Sequence, residues 1–249
     1  MHRPSHSFPL RPVPGPRRVL VVIPARDEAA TLGDLLVRLQ ALEGCRVVVA
    51  SDQSTDRTAA LGRAHGASVI DVPLQLGAWG ATQAGLRFAQ RNNYDTVVTL
   101  DADGQHDPES VPRLLAEFER GGADVLIGTY PQRLSRGRKL AWSWFRTLTG
   151  LRIEDLTSGF RVYGRAAISV LASREATLLD YQDVGVLLLI RKYGLTIREL
   201  PVTMFPRRNG RSKVFSSWLL VARYMLQTTV LCLARVGRFR AGARRPVEA

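Results

Sequence analysis

Only two cysteines occur in 249 residues, Cys45 and Cys232, and no paired spacing suggests a disulfide framework or a zinc site. That scarcity fits a reducing compartment. Long apolar runs are also missing. The first eighteen residues are rich in Pro and Arg and lack an apolar core of signal-peptide length, so residues 1–18 are expected to form a disordered leader on a cytoplasmic protein. Towards the other end, the uncharged stretch between Arg223 and Arg235 is shorter than the roughly 20 apolar residues that cross a bilayer. Acids are absent from two stretches, between Asp124 and Glu154 and between Glu199 and Glu248, and the net charge is +13. Nucleic acid, anionic lipid and phosphate-bearing substrates each suit such a field, and so does a plain arginine-rich surface. No helix-turn-helix, zinc or single-strand stacking motif accompanies the charge, so nucleic acid is not an expected partner.

What is present is alternation. Apolar, β-rich runs at 19–23, 46–50, 67–72, 96–100, 124–128 and 195–203 predict strands. Helical spacing covers 31–42, 78–90 and 108–120, and Ser54-Thr55-Asp56 offers caps for a helix running to about His65. Strands alternating with helices predict an α/β domain with a mostly parallel sheet covered on both faces by right-handed crossovers. Residues 131–146 are basic and interleaved with Trp142, Trp144 and Phe145, which fits a substrate-facing segment or an amphipathic helix packing its aromatics. Residues 216–236 form an apolar helix edged by Arg223 and Arg235, fit to lie in a membrane interface or to serve as a core or dimer helix.

The most informative local feature is Asp101-Ala102-Asp103-Gly104-Gln105, which ends the apolar run at 96–100. Carboxyl ends of strands are where α/β sheets bind ligands. Two carboxylates one residue apart make a hard oxygen pair suited to Mg²⁺ or Mn²⁺, ions that usually bring phosphates with them. A simple turn cap would use the same residues.

Six separated segments, in order, resemble the family-2 inverting glycosyltransferases, and within them the polyprenol-phosphate (dolichol-phosphate-mannose-like) sugar synthases. They are Val22-Ile23-Pro24-Ala25-Arg26-Asp27-Glu28, the 51–56 segment, the 76–85 segment, Leu100 through His106, Asp155-Leu156-Thr157-Ser158-Gly159-Phe160-Arg161, and 207–213. The resemblance implies an A-type nucleotide-sugar fold over 19–213; beyond it the residues themselves read as an interfacial helix at 214–236 and a basic tail at 237–249. It implies that Pro24, Arg26, Glu28, Ala50, Asp52 and Ala102 line the donor nucleotide together with Asp101 and Asp103. Asp101, Asp103 and Gln105 would hold Mg²⁺ or Mn²⁺ against the donor diphosphate, and Ser158, Arg161, Arg207 and Lys213 would receive the acceptor phosphate. Arg211 is a further candidate for anionic oxygens.

Two departures stand out. Ser51 and Gln53 replace an acid and a glycine of the family pattern, and Trp79 fills a place that usually holds a smaller or basic residue. Base recognition is the function the first departure touches. The expected donor is a UDP- or GDP-sugar, the acceptor a lipid phosphate, and the location the inner face of the cell membrane. A lipid phosphate is already ionised near neutral pH, since phosphomonoester second pKa values lie at about 6, and needs no base. A hydroxyl acceptor would need one, and Asp183 is the candidate, with a helix cap or an ion pair to Arg161 as its other roles. His106 is assigned no metal role. A degenerate scaffold that binds nucleotide or membrane without turnover is the remaining alternative.

Overall fold

The side chains of β1 (Val19–Ala25) alternate between two dry surfaces: Leu20 and Val22 join one apolar cluster, Val21 and Ile23 the other. A strand with two apolar faces belongs inside a sheet covered on both sides. The computed structural model describes residues 18–42, 44–130, 143–144, 146–147, 149–151, 153–179, 184–206, 226 and 229–230. After β1 come α1 (Ala29–Gln40), β2 (Cys45–Asp52), α2 (Thr58–Ala64), β3 (Ser68–Val72), α3 (Gly77–Arg91) and β4 (Thr96–Thr99). A 3₁₀ turn (Pro108–Ser110) then leads into α4 (Val111–Gly121) and β5 (Val125–Thr129). The second half holds β6 (Arg161–Gly164), α5 (Arg165–Leu171), α6 (Arg174–Thr177), α7 (Val184–Lys192) and β7 (Ile197–Pro201).

The sheet order is β3-β2-β1-β4-β6-β5-β7. Strands β1 to β4 pair in parallel, β7 pairs in parallel with β5, and β6 runs antiparallel to both β4 and β5. The predicted mostly parallel sheet is therefore present, with one reversed strand that the sequence pattern did not reveal. Four residues, one of them charged, are too short for periodicity to mark. Their burial supplies the missing signal: Arg161, Val162 and Tyr163 are all fully enclosed.

Helix α1 packs through Leu32, Leu35, Leu36 and Leu39, the i, i+3, i+4, i+7 stripe of an amphipathic helix, each worth roughly 1.5–3 kcal/mol when buried. Helix α3 lies on the opposite face, tight against β1. A Cβ on Gly85 would stand 2.2 Å from Cγ1 of Val22, so only glycine allows this approach. The expected C-terminal helix lies outside the described residues except at Leu226, Thr229 and Val230, and the basic stretch 131–142 lies outside them entirely.

Candidate active site

The parallel strands deliver three loops to one edge of the sheet: 26–28 after β1, 53–57 after β2 and 101–105 after β4. The first two are laced together. Asp27 accepts the Thr55 amide at 2.7 Å and its hydroxyl at 3.1 Å, and the Glu28 amide donates to the Thr58 hydroxyl at 2.9 Å. Asp56 accepts the amides of Ala29 at 3.0 Å and Thr58 at 2.8 Å, so one carboxylate sits at the amino ends of both α1 and α2. The Thr55 amide bond is the main reason the Asp27 carboxyl lies below its ordinary value. Burial works to raise Asp56, but hydrogen bonds from Thr58 and Ala29 outweigh it and hold that carboxyl low as well.

The acidic turn is tied to its neighbours from three sides. The Thr31 hydroxyl of α1 donates to the Ala102 carbonyl at 2.7 Å, and Asp103 Oδ1 accepts the Gln105 amide at 3.0 Å. The Asp101 amide donates to Nδ1 of His106 at 3.0 Å. His106 is itself buried, stacked on Phe160 and bridged to Met204. It stands behind the turn as a support. Asp101 presents its carboxylate at 40% exposure, whereas Asp103 is folded inward at 4%.

The reversed strand β6 completes the site. Its pairing sets Thr99 across from Arg161, and the same antiparallel register continued by two residues sets Asp101 across from Gly159. The contact bears this out, since a Cβ on Gly159 would lie 2.8 Å from both Asp101 oxygens. The strap 154–160 is held from inside the sheet. Thr99 donates its hydroxyl to the Gly159 carbonyl at 2.6 Å, the Gly128 amide donates to the Phe160 carbonyl at 2.8 Å, and the Ser158 hydroxyl donates to the Gly128 carbonyl at 2.5 Å.

A family model described as glycosyl transferase family 2 matches residues 20–176. The chain belongs to glycosyl transferase family 2. It is 32% identical over 217 residues to an undecaprenyl-phosphate mannosyltransferase of Micrococcus luteus, covering 79% of this chain and 87% of that protein. It is 30% identical over 225 residues to a polyprenol monophosphomannose synthase of Mycolicibacterium smegmatis, covering 81% and 82%. Among solved structures, a glucosyl-3-phosphoglycerate synthase from Mycobacterium tuberculosis, in complex with Mn²⁺, UDP and phosphoglyceric acid, superposes with a TM-score of 0.68 at 23% identity. That match covers 89% of this chain and 79% of the other and establishes a shared fold.

Within this glycosyltransferase several expected site residues have other work. Asp52, expected at the base or ribose, is buried and accepts the amides of Leu76 at 2.6 Å and Gly77 at 2.9 Å, so it caps α3. Ala50 is fully enclosed within β2, and Ala102 is buried with its carbonyl accepting from the Thr31 hydroxyl. Arg161, expected on the acceptor phosphate, is fully buried and donates from Nε to the Ser158 carbonyl at 2.7 Å and from Nη2 to the Leu156 carbonyl at 3.0 Å. Its guanidinium braces the strap. Ser158, expected there too, is 2% exposed and spends its hydroxyl proton on Gly128. Pro24, Arg26 and Glu28 remain partly exposed at the head of β1. Asp183, Arg207, Arg211 and Lys213 lie outside the described residues.

The two departures from the family pattern have structural explanations. Gln53 adopts φ of +52°, keeping the left-handed backbone that glycine would supply, at a cost of roughly 1–2 kcal/mol. Ser51 is buried, its hydroxyl 3.1 Å from that of Ser54. Trp79 is buried in the core and donates its indole N–H to the Ala176 carbonyl at 2.8 Å. Its bulk gives no reason to regard the site as degenerate.

Among the described residues no cluster of three or more His, Cys, Asp or Glu could hold a metal ion. The donor set still fits a divalent ion that takes its other ligands from a diphosphate and water. Asp101 is exposed and the missing side chain of Gly159 leaves room beside both of its oxygens.

Proposed function

We propose that this glycosyltransferase moves a sugar, with inversion, from a UDP- or GDP-linked donor to a polyprenyl phosphate, using Mg²⁺ or Mn²⁺ at an anionic membrane surface. The observation that carries the reading is the juxtaposition of Asp101 and Gly159, which sets the acceptor-side motif of the family against the acid that would face the donor diphosphate. The names of the two relatives supply the acceptor class.

Asp101 and Asp103, with Gln105, would hold the ion, which when bound neutralises charge on the leaving diphosphate. A phosphate oxygen of the acceptor attacks the anomeric carbon on the face opposite the nucleotide. The bond to the leaving oxygen breaks with both electrons going to the nucleoside diphosphate. No proton has to be removed, because the attacking phosphate is ionised. The chain's own residues hold the two partners in line: the laced loops after β1 and β2 shape the donor side, and the strap shapes the acceptor side. Arg207 and Lys213 are the cations proposed for the acceptor phosphate, and Asp183 acts as a base only towards a hydroxyl acceptor.

One feature supports the membrane surface. Trp144, Leu226 and Val230 are 54%, 67% and 55% exposed, and the Trp144 indole lies 3.5 Å from the Thr229 hydroxyl, gathering apolar surface between the two acid-free stretches. The inner face of the cell membrane is the proposed location. The test is transfer from labelled UDP- and GDP-sugars to a short polyprenyl phosphate with Mn²⁺ or Mg²⁺, reading the anomeric configuration of the product. An inverted sugar phospholipid supports the reading, and a retained configuration or no transfer to the lipid rejects it.

A further inference from the structure

The strap 154–160 is braced by the sheet at its carboxyl end, and its amino end rests on one side chain of a strand far along the chain. Glu199 of β7 accepts the Glu154 amide with both oxygens, each at 2.9 Å, and the Asp155 amide with Oε1 at 3.0 Å. This carboxylate is in an expensive place. It is partly buried, and desolvation pushes its carboxyl above the ordinary 4.5, with the charges of Glu154 and Asp155 adding to that and the two amides opposing it. Among the described residues no ion pair involves it. Arg198, beside it on β7, pairs with Glu117 of α4 at 3.3 Å, and the residue in register on β5 is the apolar Ile127.

We propose that Glu199 is a positioning residue for the acceptor side of the site, holding the amino end of the strap so that Gly159 stays against Asp101. The inference rests on the function proposed above for its kinetic consequence, though not for its structural one. The path is short and continuous. Glu199 holds the Glu154 and Asp155 amides, and Asp155 Oδ1 closes the next turn by accepting the Thr157 amide and hydroxyl, both at 3.1 Å. Arg161 then grips the Leu156 and Ser158 carbonyls, and Thr99 fixes the Gly159 carbonyl beside Asp101. Losing the first link frees the amino end while the sheet-borne links remain, so the acceptor should feel the change and the donor pocket, built on the other loops, should not. Protonation weakens the same link, because a neutral carboxyl has a hydrogen on one of the two oxygens that accept from Glu154.

The experiment compares wild type with Glu199→Gln and Glu199→Asp in the full chain. Deuterium exchange over residues 153–161 is followed together with steady-state kinetics against polyprenyl phosphate between pH 5 and 8. Glu199→Gln should exchange faster in that peptide, with peptides from β1 and α1 unchanged as the check on folding. Its KM for the acceptor should rise about tenfold, the fold-change that one charge-assisted hydrogen bond is worth, while its donor KM moves less than about twofold. The acid limb of kcat/KM should be less steep in the variant than in wild type, keeping only the part due to ionisation of the acceptor phosphate, and Glu199→Asp, which keeps the charge, should recover part of the acceptor affinity. Unchanged exchange in the 153–161 peptide overturns the proposal, and so does an equal rise in both KM values. Wild type that makes no sugar phospholipid would instead reject the functional reading, and the exchange result would then decide the positioning role alone.

Discussion

Gly159 passes Asp101 so closely that a Cβ would stand 2.8 Å from each carboxylate oxygen. Gly159→Ala must therefore push the carboxylate aside. Displacing a reacting group by about 1 Å costs on the order of a hundredfold in rate, and a loss of that size in kcat/KM is expected. Thermal unfolding should move by no more than a few degrees, because the strap keeps its bonds from Thr99 and Gly128. Turnover near the wild-type level would show that Asp101 is not where the chemistry happens.

Asp103 closes its own turn through the Gln105 amide, a role an asparagine oxygen can also fill. Asp103→Asn is thus expected to fold normally and to lose metal-dependent nucleotide binding. Calorimetry with UDP and GDP, with Mn²⁺ present and then chelated, checks this. Nucleotide binding that survives both the substitution and the chelator would contradict the metal assignment.

Asp52 has both oxygens on the amides that open α3. Removing them leaves two amides without their acceptor, so Asp52→Ala should cost about 2–3 kcal/mol in urea unfolding. Asp52→Asn keeps one acceptor and should cost less. A stability loss under about 0.5 kcal/mol for the alanine variant would mean that the capping role is minor.

Asp27 and Asp56 both lie below their ordinary value of 3.8 when folded. For depressed carboxyls the folded state binds fewer protons than the unfolded one. Their stabilisation is present in full above that value and disappears as pH falls through the folded values. Urea titrations between pH 7 and pH 3 should show stability dropping at the acid end, with a shallower drop in Asp56→Asn. Identical slopes for the variant and wild type would refute the contribution.

Leu226 and Val230 are exposed, so Leu226→Glu and Val230→Glu should leave thermal stability almost unchanged. Each removes apolar surface and adds a charge repelled by anionic lipid, and binding to vesicles rich in anionic phospholipid should weaken about tenfold. Sedimentation at two salt concentrations measures it. Vesicle binding unaffected by either change would remove this surface from the membrane contact.

The legible parts of the molecule were those written in local periodicity. The buried runs at 19–23 and 96–100 appear as β1 and β4, and the acids that end the second run do emerge at a carboxyl edge of the sheet. The motif order was legible too, and the family match covers most of the segments that carried it. Asp52 and Arg161 illustrate what was not. Their residue types suit a nucleotide and a phosphate, yet their partners are amides 24 and 25 residues downstream in one case and carbonyls of the folded strap in the other. Nothing in the residue itself says which partner it will meet.

By itself the sequence determined six strands of a mostly parallel sheet, the acidic turn at the head of β4 and membership in a glycosyltransferase family, because each of these depends on short-range pattern or motif. Only the tertiary structure decided that a reversed four-residue strand would enter between β4 and β5. That reversal sets Gly159 opposite Asp101 and leaves Glu199 holding the far end of the strap. The physical reason is register: which backbone groups face each other across a sheet is settled by the packing of distant segments, and a carboxylate or guanidinium buried there takes whatever amide or carbonyl that register brings.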